Sequence, residues 1–237
     1  MESHSSQAVR GDTRKSLILP ALRNFMLGVI VLGGVLCLLA GTLRYWQGWV
    51  FTLLFMALIT QQGIYLAIKD PELLERRKRI APAGESTGQK LFIASGFVAN
   101  AGVIVISALD HRFGWSQMSP VVSLLGDGVI VLSFFIYYLV FRENSFAASS
   151  IQTFEGQKVI ATGPYALVRH PKYAGDVLLI MGMPLALGSW WGLAFVMLVI
   201  PALGWRILDE EKLLKSDLPG YEEYMQRVRY RLLPFVW

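Results

Sequence analysis

One cysteine, Cys37, and three histidines, His4, His111 and His170, are all the soft metal-binding side chains in this 237-residue chain. Neither a Cys-x-x-Cys nor a His-x-x-x-His spacing occurs, and a lone cysteine cannot close an intrachain disulfide, so the sequence predicts no metal site and no disulfide framework. Charge is scarce as well: 16% of residues are charged against 54% hydrophobic, and the mean hydropathy is +0.47. That balance lies outside the ordinary soluble class. A dinucleotide fingerprint is missing, because Gly126-Asp127-Gly128 lacks both the third glycine and a preceding strand. There is no internal repeat, no low-complexity tract and no aromatic-interleaved basic stripe of the kind that binds nucleic acid.

What the chain has instead is long apolar runs. Four of them, at 25–43, 48–68, 91–109 and 121–141, are free of Lys and Arg and match the roughly 20 helical residues that cross a hydrocarbon core. A fifth, 174–205, is too long for one span and is interrupted by Gly188-Ser189, which reads as a tight helical hairpin with short arms. The expectation is an all-α polytopic membrane helix bundle of about six transmembrane helices, five being the alternative. It would comprise a flexible N-terminal tail (1–24), a four-span membrane region (25–141) and a functional region (142–237) that includes the hairpin.

Lys and Arg placement tests this layout independently. Of 22 such residues, only Arg44 and Arg112 fall in the loops assigned outside. Both termini are therefore expected in the cytoplasm. A signal peptide is the competing reading of the N-terminus, but the apolar run is long and lacks an Ala-x-Ala-like exit. The net charge of +5 then reads as a topology signal and an attraction to anionic headgroups. In the loop after the second span, Asp70-Pro71-Glu72 precedes Arg76-Arg77-Lys78-Arg79, an order that suits a short interfacial helix resting on headgroups.

The polar side chains beside these runs carry the chemical signal. Tyr165, Arg169, His170 and Tyr173 precede the hairpin, and Arg206, Asp209, Glu210 and Glu211 follow it. Since a hairpin returns its ends to one side of the membrane, the two groups are expected to be neighbours. Plainer readings exist for each alone. His170 could cap the first hairpin helix, Arg206 and Glu210 could form an exposed i,i+4 pair, and Tyr221, Tyr224, Tyr230 and Trp237 could be interface aromatics. Asp127 is expected to stay hydrated near a span end, and Asp176 could face a pocket.

Gly163-Pro164-Tyr165, Arg169-His170-Pro171-x-Tyr173-x-Gly175, Arg206-x-x-x-Glu210-Glu211, Tyr221-x-x-Tyr224 and Arg231-Leu232-Leu233-Pro234 together resemble the isoprenylcysteine carboxyl methyltransferase family, bacterial-type members included, and its phospholipid methyltransferase relatives. The resemblance covers about the last 95 residues. It implies S-adenosylmethionine as cofactor, held along Gln157, Lys158, Val159, Ile160, Tyr165, His170, Pro171, Lys172 and Tyr173. It also implies that Arg206 and one of Glu210 and Glu211 act at the reacting groups. The acceptor would be a lipophilic molecule entering from the bilayer, such as a prenylcysteine carboxylate, with a phospholipid amine or another small apolar amine or alcohol as alternative. The membrane would be the plasma membrane of a bacterium or the endoplasmic reticulum of a eukaryote. Sterol reductases share a similar C-terminal pattern with a nicotinamide cofactor, which makes a membrane reductase the runner-up. A transporter would call for midplane polar groups or inverted repeats.

Overall fold

The computed structural model describes residues 2–78, 87–147 and 158–237. Among these, the regular elements are all helical. Five helices are long and apolar enough to cross a membrane: the Leu17–Ala40 part of α1 (Glu2–Ala40), α2 (Trp46–Lys69), the Ala94–Phe113 part of α4 (Thr87–Phe113), α5 (Pro120–Glu143) and α7 (Trp190–Asp217). The first of these begins eight residues before the expected residue 25, because Leu17-Ile18-Leu19 extends the apolar run past Arg23. A cation near a helix end can snorkel to the interface.

Between α5 and α7 lies α6 (Pro171–Ala186), whose 16 residues reach about 24 Å at 1.5 Å per residue, short of a full crossing. The expected hairpin is therefore present as α6 and α7, while only its second arm has the length of a span. Helix α6 lies along α5 at very close range. A Cβ at Gly175 would stand 2.7 Å from the Tyr137 ring, and one at Gly126 would collide with the Leu185 and Ala186 backbone. Small residues at a helix interface allow this approach where lipid provides no hydrophobic drive.

The hairpin turn is tied down by polar contacts. Gly188 adopts φ +75°, a conformation glycine takes without steric cost. Ser189 accepts from the Gly192 N–H and donates to Asp110 Oδ2 at 2.6 Å, and Ser116 also donates to Asp110 through its hydroxyl and its backbone N–H. Tyr45 donates to the Leu187 carbonyl at 2.6 Å. Replacing Asp110 by alanine would strip the acceptor from three donors at once. The expected loss is about 1–3 kcal/mol of stability, read as a lower unfolding midpoint of the purified protein.

At the other end, α3 (Pro71–Lys78) packs one face on the protein. Leu73 is wholly buried, Arg76 donates to the Ser145 carbonyl, and Arg77 donates to the Ala147 carbonyl with its guanidinium 4.3 Å from the Phe141 ring centre. The apolar face at Leu73 prefers the α5 end to water, and the guanidinium groups satisfy carbonyls that no helix pairs. The segment after α8 (Tyr221–Arg227) is tied to the residues before α6 by backbone hydrogen bonds, while its last five residues stay exposed. Arg169 and His170 donate their backbone N–H groups to the Tyr230 and Arg231 carbonyls at 2.9 Å, and the Trp237 carbonyl accepts from Arg231, Leu232 and Leu233.

Candidate active site

The two polar groups that flank the hairpin do meet. Pro164 opens a short 3-10 turn over Gly163–Ala166, and Pro171 at N1 starts α6 directly after His170, so the backbone between them stays out of a continuous helix. His170 occupies the N-cap position without making a side-chain cap bond. Its ring lies between two glutamates instead: Nε2 is 3.2 Å from Glu211 Oε1, and Nδ1 is 4.0 Å from Glu210 Oε1.

The adjacent glutamates have different partners. Glu211 sits in a buried ion cluster. Arg169 Nε donates to Oε1 at 2.7 Å, Arg231 Nε donates to Oε2 at 3.0 Å, and the Arg169 and Glu211 side chains are 4% and 5% exposed. Arg169 also donates to the Val228 and Arg229 carbonyls. Glu210, a helical step of about 100° away, turns towards a cavity and accepts from the Tyr173 hydroxyl at 2.6 Å.

That cavity, about 330 Å³ in volume, is lined by Lys158, Val159, Ile160, Tyr165, His170, Pro171, Lys172, Tyr173, Arg206 and Glu210. Gln157 lies outside the described residues. Glu211 does not line the cavity; it reaches it only through His170, which touches both. Arg206 is 3% exposed, and the reading of Arg206 with Glu210 as a surface pair therefore fails.

Several lining residues were not expected. Tyr221 and Tyr224, read as interface aromatics, are buried and line the cavity. Their i,i+3 spacing after the Pro219-Gly220 break was the available signal, since it puts both on the inner face of a short helix. Tyr224 donates to the Tyr165 carbonyl, and Asn144 donates to the Tyr165 hydroxyl at 2.8 Å. Burial pushes the Tyr165 phenol up to about 12, against the opposing pull of the Asn144 bond, and raises Tyr221 and Tyr224 as well. These phenols are neutral through the working pH range. Asp176 lines the cavity with both oxygens engaged, one by Lys172 and one by the Tyr137 hydroxyl.

The far wall is apolar along α6 and α7, where Leu179, Ile180, Val199, Ile200, Ala202 and Leu203 line it, while α4 adds the small or polar Ser95, Gly96, Ala99 and Asn100. A cation could be held among the tyrosine rings and the Glu210 carboxylate, next to a wall suited to an aliphatic chain. Among the described residues no cluster of three metal-ligating side chains occurs.

Residues 121–217 match the phospholipid methyltransferase family. The matched stretch contains α5, the hairpin and both glutamates, and it supports a methyltransferase. The mouse (Mus musculus) Delta(14)-sterol reductase TM7SF2 is 30% identical over 94 residues, a match that covers 37% of this chain and only 22% of the reductase. Both likenesses fall on part of the chain, and the phospholipid methyltransferase match takes in the α5–α7 cavity walls.

Proposed function

We propose that this protein is an integral-membrane, S-adenosylmethionine-dependent methyltransferase whose acceptor is a lipophilic carboxylate of the prenylcysteine type. The observation that carries this reading is the junction of two unlike surfaces in one cavity: tyrosines with a carboxylate, and an aliphatic wall along α6 and α7. S-adenosylmethionine, when bound, supplies an electrophilic methyl group on a sulfonium cation. The residues present fit it. Tyr165 and Tyr173 offer aromatic faces worth about 0.5–2 kcal/mol each to a cation, and Glu210 adds a compensating charge. Lys158, Val159, Ile160, His170, Pro171 and Lys172 border the same space, with Gln157 just before them in sequence.

A carboxylate acceptor is already a nucleophile at neutral pH and needs alignment and desolvation rather than a base. Arg206 suits that task, because a guanidinium matches a carboxylate in bidentate geometry. His170, with Nε2 against Glu211 Oε1 and Nδ1 4.0 Å from Glu210, has no proton to collect when the acceptor is a carboxylate. The family description itself favours a phospholipid amine as second reading, and in that case His170 is the base. The acceptor enters sideways from the bilayer, and the cavity and both termini face the cytoplasm.

The sterol reductase likeness supports a third, nicotinamide-dependent reading. Titrating the purified protein with S-adenosylhomocysteine and with NADPH separates them. Binding of S-adenosylhomocysteine without NADPH is the expected result, and NADPH binding without S-adenosylhomocysteine would sink the methyltransferase. Transfer of labelled methyl groups to prenylcysteine analogues against phospholipids then decides the acceptor.

A further inference from the structure

A second cavity, about 320 Å³ in volume, lies between α2 and α5 and shares no lining residue with the first. Leu58, Gln61, Gln62 and Tyr65 line it from α2, and Val131, Phe134, Phe135 and Tyr138 line it from α5. Each set is spaced i, i+3, i+4, i+7, which is one continuous helix face. The two faces meet at Tyr65 and Tyr138, whose rings pack edge-on with centroids 5.0 Å apart. Val131, Phe135 and Tyr138 keep exposed surface, so the cavity opens to the lipid side of the bundle.

Its walls combine two features that contact with acyl chains does not call for. Four of the eight lining residues are aromatic, and their rings give it broad, stiff faces. Gln61 and Gln62 add two side-chain amides, and neither these amides nor the Tyr65 and Tyr138 hydroxyls have a hydrogen-bond partner among the described residues. Gln61 lies eight residues before the end of α2 at Lys69, about 12 Å at 1.5 Å per residue. Polar groups at that depth in a span call for a partner. No charged side chain lines the cavity. Lys69 and Arg142 each follow a cavity tyrosine by four residues, one turn outside it. At the inner end Asp127, one turn before Val131 and expected to stay hydrated near a span end, is 7% exposed and lies outside the lining as well.

We infer that this cavity binds a neutral ring alcohol of the bilayer, a lipid with a flat fused-ring body and one hydroxyl. A hydroxyl both donates and accepts, and each carboxamide offers an oxygen and an NH2 group to meet it. The ring body would lie against Phe134 and Phe135, with Leu58 and Val131 below. A phospholipid fits less well, because its charged head group stays at the surface and its chain would leave both amides facing methylenes. The volume falls in the range of about 300–1,000 Å³ that small-molecule sites occupy. No step of methyl transfer is invoked, so the site stands or falls independently of the methyltransferase reading.

The test is thermal unfolding of the purified full chain in phosphatidylcholine nanodiscs that contain equal mole fractions of cholesterol or of cholestane, which has the rings without the hydroxyl. Cholesterol should raise the midpoint by about 3 °C or more over cholestane, as ligand binding to the native state requires. Equal midpoints would overturn the assignment. A rise of the same size with phosphatidylglycerol in place of the sterol would also overturn it, by giving the cavity to a phospholipid. The double variant Gln61→Leu with Gln62→Leu should abolish the cholesterol increment by removing the amides. Val131→Trp, which fills the cavity from its exposed side and keeps the amides, should abolish it too. Loss of the increment in either variant supports the site, and full retention in every variant that folds removes it.

Discussion

Exchanging Glu211 for glutamine is expected to lower the unfolding midpoint by roughly 6–20 °C. The carboxylate is enclosed between Arg169 and Arg231, with His170 against the same oxygen that Arg169 holds. Glutamine keeps the shape and removes the charge, which leaves two guanidinium groups facing a neutral amide. Breaking a buried ion pair from one side costs about 3–5 kcal/mol because the surviving charge is uncompensated, and each kcal/mol shifts the midpoint of a domain this size by about 2–4 °C. The damage would spread, since Arg169 also fastens the Val228 and Arg229 carbonyls and its backbone pairs with Tyr230. Differential scanning of the purified protein measures this. A midpoint within a degree of the parent would mean that the cluster does not hold the C-terminal segment in place.

Glu210→Gln is expected to do the reverse, leaving the midpoint close to the parent while removing most of the activity. Its side chain is 23% exposed, and its bonded partner is the Tyr173 hydroxyl rather than a buried cation. Losing one pre-organised charge at a reacting centre typically lowers kcat by about 10²–10³-fold. Affinity for S-adenosylhomocysteine should fall by a smaller factor, because that product lacks the sulfonium charge. Arg206→Ala should lower turnover with a carboxylate acceptor while sparing S-adenosylhomocysteine binding. Steady-state methyl transfer together with calorimetric binding separates these effects. If Glu210→Gln and Arg206→Ala both retain parental turnover, the cavity at the hairpin base is not where methyl transfer occurs.

The hairpin and the meeting of its flanks could be anticipated because an apolar run of that length with a glycine-serine break has few other ways to sit in a bilayer. Which glutamate faces the cavity could not. Glu210 and Glu211 are chemically identical, and only the placement of Arg169 and Arg231, far away in the chain, distinguishes them. Tyr221 and Tyr224 were misread because aromatic residues near basic ones also describe a membrane interface. The contribution of α4 went unread, since small and polar side chains such as Ser95, Gly96 and Asn100 also serve where one span packs against another. Asp127 looked like a solvated end residue because sequence distance to a helix end says nothing about the neighbouring helix that covers it.

The docking of α3 changes how the surface of this protein should interact with a charged leaflet. Arg76 and Arg77 are engaged with the 145–147 backbone and an aromatic ring, and Arg169 and Arg231 are engaged with Glu211. Four of the basic residues behind the formal excess are thus engaged within the protein. Enrichment of phosphatidylserine around the protein in a mixed bilayer should accordingly follow a smaller effective valence than the bulk count of cations, with a correspondingly shallow dependence on ionic strength.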